Sequence, residues 1–209
     1  MSHPLFTGSG VALVTPMTPS GVDFPALDRL IDRQLAAGTD ALIVCATTGE
    51  GATLTYAERS AVIARSIERS AGRVPVIVGT GSNNTASAAA LSRDACVMGA
   101  DGVLVVTPYY NKATQRGLVR HFTAVADAID RPLIVYNVPS RTGVSCTAET
   151  YRTLAQHPNI VGVKEASGNF ALIQDTRNLC GDDFLLWSGN DEQTVPLVSL
   201  GARGVISVL

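Results

Sequence analysis

Eight short runs rich in β-branched and other apolar residues recur along the chain, and this repetition constrains the fold more than any other feature. They are Val11–Pro16, Ala41–Ala46, Val76–Gly79, Val103–Thr107, Leu133–Asn137, Ile160–Lys164, Phe184–Trp187 and Val205–Val208. Most show no apolar/polar alternation, as expected of parallel strands covered on both faces. Between them lie stretches with helical periodicity. Leu27, Leu30, Ile31 and Leu35 form one apolar stripe, and Leu118, Phe122, Val125 and Ile129 form another. Thr55 and Glu58 make a capping box ahead of Val62, Ile63 and Ile67. Gly38, Gly99 and Gly201 each fall between a helical stretch and the next strand, where a C-cap glycine is expected.

Eight strands alternating with seven helices predict a TIM (β/α)8 barrel. The rival is an open doubly wound sheet. Its dinucleotide fingerprint is incomplete, because Gly79-Thr80-Gly81-Ser82-Asn83-Asn84 follows a strand but lacks the third glycine. The 209 residues suit one catalytic domain over 1–209. The eighth strand ends at the last residue, so the barrel is expected to be incomplete there, with the outer face of that strand open to water.

The net charge is -2, with no basic patch to suggest nucleic acid or an anionic membrane as a partner. No apolar run reaches the length of a membrane span. Residues Met1 to Gly10 lack the pattern of a secretion signal. Cys45, Cys96, Cys146 and Cys180 form no CxxC pair and read as buried hydrophobes in a reducing, cytoplasmic setting. His3, His121 and His157 share no ligand spacing, so no metal site is expected.

Lysine is scarce. Lys112 sits in the polar stretch Asn111–Gln115 and reads as a surface residue. Lys164 ends an apolar strand, at the end of a barrel strand where active sites gather. Desolvation there favours the neutral amine, the form that makes a Schiff base. Pairing with a carboxylate such as Glu165 is the structural alternative. Tyr136 ends the fifth strand, either as a proton relay or as ordinary core. The loop Thr47-Thr48-Gly49-Glu50-Gly51 could offer backbone N–H groups to a carboxylate, and Arg141 could hold a second one.

Five stretches together resemble the pyruvate-dependent aldolase family that includes the dihydrodipicolinate synthases and N-acetylneuraminate lyases. They are Thr47–Glu50, Thr107–Lys112, Tyr136–Gly143, Gly162–Ser167 and Gly204–Val208. The resemblance implies a Schiff base between Lys164 and pyruvate, with Tyr136, Thr48 and a neighbouring subunit's Tyr110 relaying protons. It implies that Thr47 and Thr48 hold the pyruvate carboxylate, that Arg141 binds aspartate semialdehyde, and that Gly189 and Ile206 line the pocket. The Thr47-Thr48 pair and Arg141 suit a short, carboxylate-bearing aldehyde. The same family admits 2-keto-3-deoxy sugar acids or sialic acids as substrates, and a non-catalytic fragment is the further alternative. No cofactor is implied, and a homotetramer built as a dimer of dimers is. So are a last barrel helix and a helical C-terminal domain, neither of which the sequence contains. Family members that respond to lysine bind it with paired histidines, a glutamate, an asparagine and a tyrosine. The corresponding residues here are Tyr56, Arg59, Ser87, Asn83 and Tyr109.

Overall fold

The computed structural model describes residues 5–208; His3 and Leu209 lie outside them. Eight parallel strands close into a barrel: β1 (Gly8–Ala12), β2 (Ala41–Val44), β3 (Val76–Gly79), β4 (Gly102–Val106), β5 (Leu133–Asn137), β6 (Ile160–Glu165), β7 (Leu185–Ser188) and β8 (Gly204–Ser207). Neighbours in sequence are neighbours in space, and β8 pairs with β1 to close the ring. The connections carry α1 (Phe24–Ala36), α2 (Tyr56–Ser70), α3 (Thr85–Val97), α4 (Gln115–Ala126), the short α5 (Pro139–Thr142), α6 (Ala148–Leu154), α7 (Phe170–Cys180) and α8 (Thr194–Ser199). A small hairpin, Met17–Thr18 with Gly21–Val22, lies between β1 and α1. The expected TIM barrel is the observed fold.

Local chemistry sets the helix starts. Asp23, Thr55, Asn84, Thr114, Thr147 and Asn169 each accept a backbone N–H of the first turn on a side-chain oxygen. Such a cap stabilises a helix by about 1 kcal/mol. The capping box of Thr55 and Glu58 is present in full. The glycines at 38, 99 and 201 adopt the left-handed φ values of 81°, 101° and 94° that suit a helix exit.

Two apolar layers result. Inside the barrel, Ile43, Ile77, Leu104, Ile134, Trp187 and Ile206 pack together, and Phe6 stacks on Trp187 with ring centroids 5.1 Å apart. Outside it, alternate strand residues such as Val44, Val78, Val105, Val135 and Val163 meet the helices. The strands β2, β3 and β5 are buried along their whole length, which is why they show no alternation.

The first strand corrects the expectation. It spans Gly8–Ala12, not Val11–Pro16. Close approach selects its small residues: a Cβ on Gly10 would lie 2.8 Å from the Phe6 ring and 2.9 Å from Ile43. An apolar run therefore marks this strand poorly. The cysteines also divide: Cys45 and Cys146 are buried, whereas Cys96 and Cys180 are only partly so. In β8, Val205 and Ser207 are half-buried, and Val208 beyond it is 55% exposed. Among the described residues no helix is long and apolar enough to cross a membrane.

Candidate active site

Tyr136 and Lys164 are direct register partners on β5 and β6. Both sit at the C-terminal ends of their strands, and both are 7% exposed. The Lys164 Nζ lies 4.4 Å from the centre of the Tyr136 ring. Among the described residues, no carboxylate comes within ion-pair distance of this amine. Burial, with the Arg141 guanidinium adding to it, lowers the Lys164 pKa to about 8, against a small opposing pull from Asp191. A substantial share of the amine is thus neutral near physiological pH. Burial raises the Tyr136 pKa, which keeps the phenol protonated and able to donate.

Pairing of Lys164 with Glu165 does not occur. Glu165 faces the opposite side of β6, where its oxygens accept hydrogen bonds from Asn137, Ser167 N–H and Tyr151. Strand geometry dictates this, since successive side chains point to opposite faces.

Lys164 opens into a cavity of about 230 Å³, whose wall also includes Tyr136, Thr47, Thr48, Arg141 and Gly189. Gly189 has no room for a side chain: a Cβ there would lie 2.8 Å from the Cβ of Ala166 and 3.1 Å from the Lys164 Cε. The loop after β2 is tied down by Glu50 N–H to Thr47 O, Gly51 N–H to Ala46 O, and the Thr15 hydroxyl to Gly49 O. Cys45 and Glu50 bracket it with left-handed φ values of 53° each. Among the described residues, nothing accepts the N–H groups of Thr47 and Thr48. They remain available to an anion at the cavity wall, as in a backbone nest.

The structure thus brings six of the eight expected site residues to one cavity. The other two lie elsewhere. Tyr110 is 88% exposed, with φ 76°, outside the cavity of its own chain. The Ile206 side chain is fully buried in the inner core, and its strand reaches the cavity through Ser207 and Val208 instead. Lys112 is exposed. Asn190, Asp191 and Glu192, just after β7, join the cavity rim without having been expected there. The rule that barrel sites collect loops after strand ends could have found them.

A second cavity, of about 630 Å³, adjoins the first through Ala46, Thr47, Tyr136 and Arg141 but does not include Lys164 in its wall. Tyr56, Arg59 and Tyr109 contribute to it, whereas Asn83 and Ser87 do not. Arg59 is 7% exposed and donates to the carbonyls of Gly51 and Gly79. Of the histidines, His121 contacts Thr85 and His157 contacts Asp127. Among the described residues no group of three His, Cys, Asp or Glu side chains could hold a metal ion.

The geometry agrees with comparisons to known proteins. The model of the dihydrodipicolinate synthetase family matches residues 5–209. The 4-hydroxy-tetrahydrodipicolinate synthase of a Thermoanaerobacter species is 52% identical over 206 residues, covering 98% of this chain and 69% of that protein. The crystal structure of dihydrodipicolinate synthase from Aquifex aeolicus superimposes with a TM-score of 0.94 at 48% identity, over 97% of this chain and 70% of that one. That of the enzyme from Cyanidioschyzon merolae, with lysine bound, gives 0.94 at 44% identity, over 98% and 70%. The chain therefore spans about 70% of the length of these relatives.

Proposed function

The chain belongs to the dihydrodipicolinate synthetase family, and we propose on that premise that it condenses pyruvate with aspartate semialdehyde through a Schiff base on Lys164. The product is 4-hydroxy-tetrahydrodipicolinate, which leads to diaminopimelate and lysine. The observation that carries this reading is the buried Lys164 amine, without an ion pair among the described residues, beside Tyr136 and facing a cavity with two open backbone N–H groups.

The steps follow from the placement of each group. The N–H groups of Thr47 and Thr48 receive the pyruvate carboxylate and turn its ketone toward Lys164. The neutral amine attacks the ketone carbon, and Tyr136, extended by Thr48, moves protons so that water leaves. The iminium withdraws electrons, the methyl group loses a proton, and the enamine attacks the aldehyde carbon of aspartate semialdehyde. Arg141, on the cavity wall with no carboxylate partner among the described residues, holds the carboxylate of that substrate. The substrate's own amine then adds to the iminium carbon, closes the ring and displaces Lys164. The iminium supplies the activation, so the chemistry requires neither metal nor organic cofactor.

We read residues 1–209 as one catalytic domain acting in the cytoplasm. From the family resemblance we read the assembly as a homotetramer, a dimer of dimers, and the exposed Tyr110 is free to extend the relay of a neighbouring subunit. Trapping with pyruvate and borohydride, followed by peptide mapping, tests the central claim; an adduct on Lys112, or none in a folded chain, refutes it. A coupled assay with aspartate semialdehyde, set against a 2-keto-3-deoxy sugar acid and a sialic acid, decides the second substrate. Sedimentation decides the assembly.

A further inference from the structure

Behind the Lys164–Tyr136 pair lies a second cross-strand pair with no role in the mechanism above. Glu165 and Asn137 are register partners one residue further along β6 and β5. They face outward, where Lys164 and Tyr136 face inward. Glu165 is 1% exposed and Asn137 is fully buried.

Among the described residues, the hydrogen bonds to this carboxyl group all come from uncharged donors. Its Oε1 accepts from Asn137 Nδ2 at 3.0 Å and from the Ser167 N–H at 2.8 Å. Its Oε2 accepts from the Tyr151 hydroxyl at 2.8 Å and from Asn137 Nδ2 at 3.2 Å. The orientation of Asn137 is not free. Its Oδ1 accepts from the backbone N–H of Cys146, which can only donate. The amide nitrogen must therefore face Glu165 and the Ser145 hydroxyl, 3.2 Å away. No cation lies within ion-pair distance among the described residues. A buried carboxyl group held only by donors is costly to place in a core, because desolvation acts against the charge. Burial accordingly raises its pKa, against the pull of those same hydrogen bonds.

The network joins the parts of the site. Asn137 directly follows Tyr136, and Glu165 directly follows Lys164. Through Cys146 and Ser145, Asn137 closes the base of the segment 138–144, which carries Arg141. Ser167 begins the turn after β6, and Tyr151 anchors everything to α6. We propose that Glu165 is a positioning residue, whose buried carboxyl group fixes the strand ends that present Lys164 and Tyr136 and the loop that carries Arg141. The inference rests on the reading of Lys164 as the Schiff-base amine. Glu165 touches no reacting atom and acts through its neighbours.

Three variants of the 209-residue chain test this: Glu165→Gln, which puts a donor among donors; Tyr151→Phe, which removes one donor; and the swap Asn137→Asp/Glu165→Gln, which restores a donor–acceptor match. Three quantities are read on each: thermal stability, the rate of the borohydride-trapped pyruvate adduct, and the pH midpoint of Lys164 acylation by acetic anhydride. If Glu165 positions the amine, Glu165→Gln loosens the strand end and lets the Lys164 amine move further into its cavity, where it is better hydrated. Its acylation midpoint then moves up by about one pH unit, and the adduct rate falls about tenfold. Tyr151→Phe moves both in the same direction by less, and the swap brings both back toward the parent. If the variants lose stability while midpoint and adduct rate stay within about twofold of the parent, Glu165 only holds the fold and the proposal is wrong. Should Glu165→Gln fail to fold, Tyr151→Phe decides by the same two readings. If the parent chain forms no pyruvate adduct, the proposed function fails, and the acylation midpoints still decide the role of Glu165.

Discussion

Lys164 and Arg59 are equally buried, at 7% exposed, each in the wall of one of two adjoining cavities. Among the described residues neither has a carboxylate in reach. Their environments differ less than their chemistry does. The ammonium of Lys164 can escape the cost of burial by losing its proton, which converts it into a nucleophile. The guanidinium of Arg59 feels the same downward pressure on its pKa but remains a cation, satisfied by the carbonyls of Gly51 and Gly79. One buried cation is thus a reagent and the other a fixed charge.

The comparison breaks most severely if the first is made to resemble the second. Lys164→Arg should abolish the pyruvate adduct and turnover altogether, because a guanidinium does not serve as the attacking amine. Residual turnover above background would mean that another group starts the reaction.

A smaller effect comes from pH. With the folded-state pKa near 8, the neutral fraction of Lys164 falls as pH drops. The rate of adduct formation should fall about tenfold per pH unit below that value and level off above it. Stability has a defined sign as well. Between about 8 and the ordinary 10.5, the unfolded chain holds a proton on this lysine that the folded chain does not. Stability linked to this group therefore rises with pH across that window, and Lys164→Met should remove the rise. A denaturant series at several pH values, parent against variant, reads the difference. Arg59 should produce no such window.

Smaller again is the effect of crowding the amine. Gly189→Ala places a methyl group 3.1 Å from the Lys164 Cε and forces the side chain to shift. The adduct rate should fall about tenfold, as for a comparable misplacement of a reacting group. A rate unchanged within twofold would show that the lysine is not held where the structure places it.

Much of this was legible in the sequence, for physical reasons. Strands covered on both faces cannot alternate, so Val76–Gly79 and Leu133–Asn137 were found to the residue. Helix caps and exit glycines act locally, so Thr55, Glu58, Gly38, Gly99 and Gly201 could be read without the rest of the fold. The start of β1 was hidden because packing distance, not hydrophobicity, chose Gly8 and Gly10. Lys164 announced itself as a lone cation in an apolar strand. Glu165 did not: in the sequence it is a carboxylate next to a lysine, and only the alternation of strand faces separates the two. The buried position of Arg59 depends on how the loop after β2 folds over α2, and no local pattern records that.

The smallest expected effect concerns free lysine, and it bears on the Arg59 side of the comparison. A relative from Cyanidioschyzon merolae has been crystallised with lysine bound. By the family resemblance, Tyr56 and Arg59 correspond to the histidines of responsive family members, and Ser87 to their glutamate. Without that carboxylate, the α-ammonium of lysine lacks a charge-assisted bond, an interaction of about 1.5–3 kcal/mol. Arg59 adds a cation that cannot discharge, in the wall of the cavity to which Tyr56 and Tyr109 also contribute. Glu58, next to Arg59 in sequence, is already engaged and poorly placed to replace the missing partner: its carboxylate closes the capping box on Thr55, and those hydrogen bonds lower its pKa. Asp94 accepts from the Tyr56 hydroxyl, and Glu50 is the carboxylate that lines the cavity wall. Affinity for lysine should therefore be weaker than in responsive relatives by about tenfold to a hundredfold. Inhibition titrations should show no half-inhibition in the submillimolar range. An Arg59→His/Ser87→Glu variant should strengthen whatever inhibition remains, since it removes the fixed cation and restores a carboxylate. Submillimolar inhibition of the unaltered chain would mean that lysine binds without the glutamate and despite Arg59, and that this buried cation does not repel a cationic ligand.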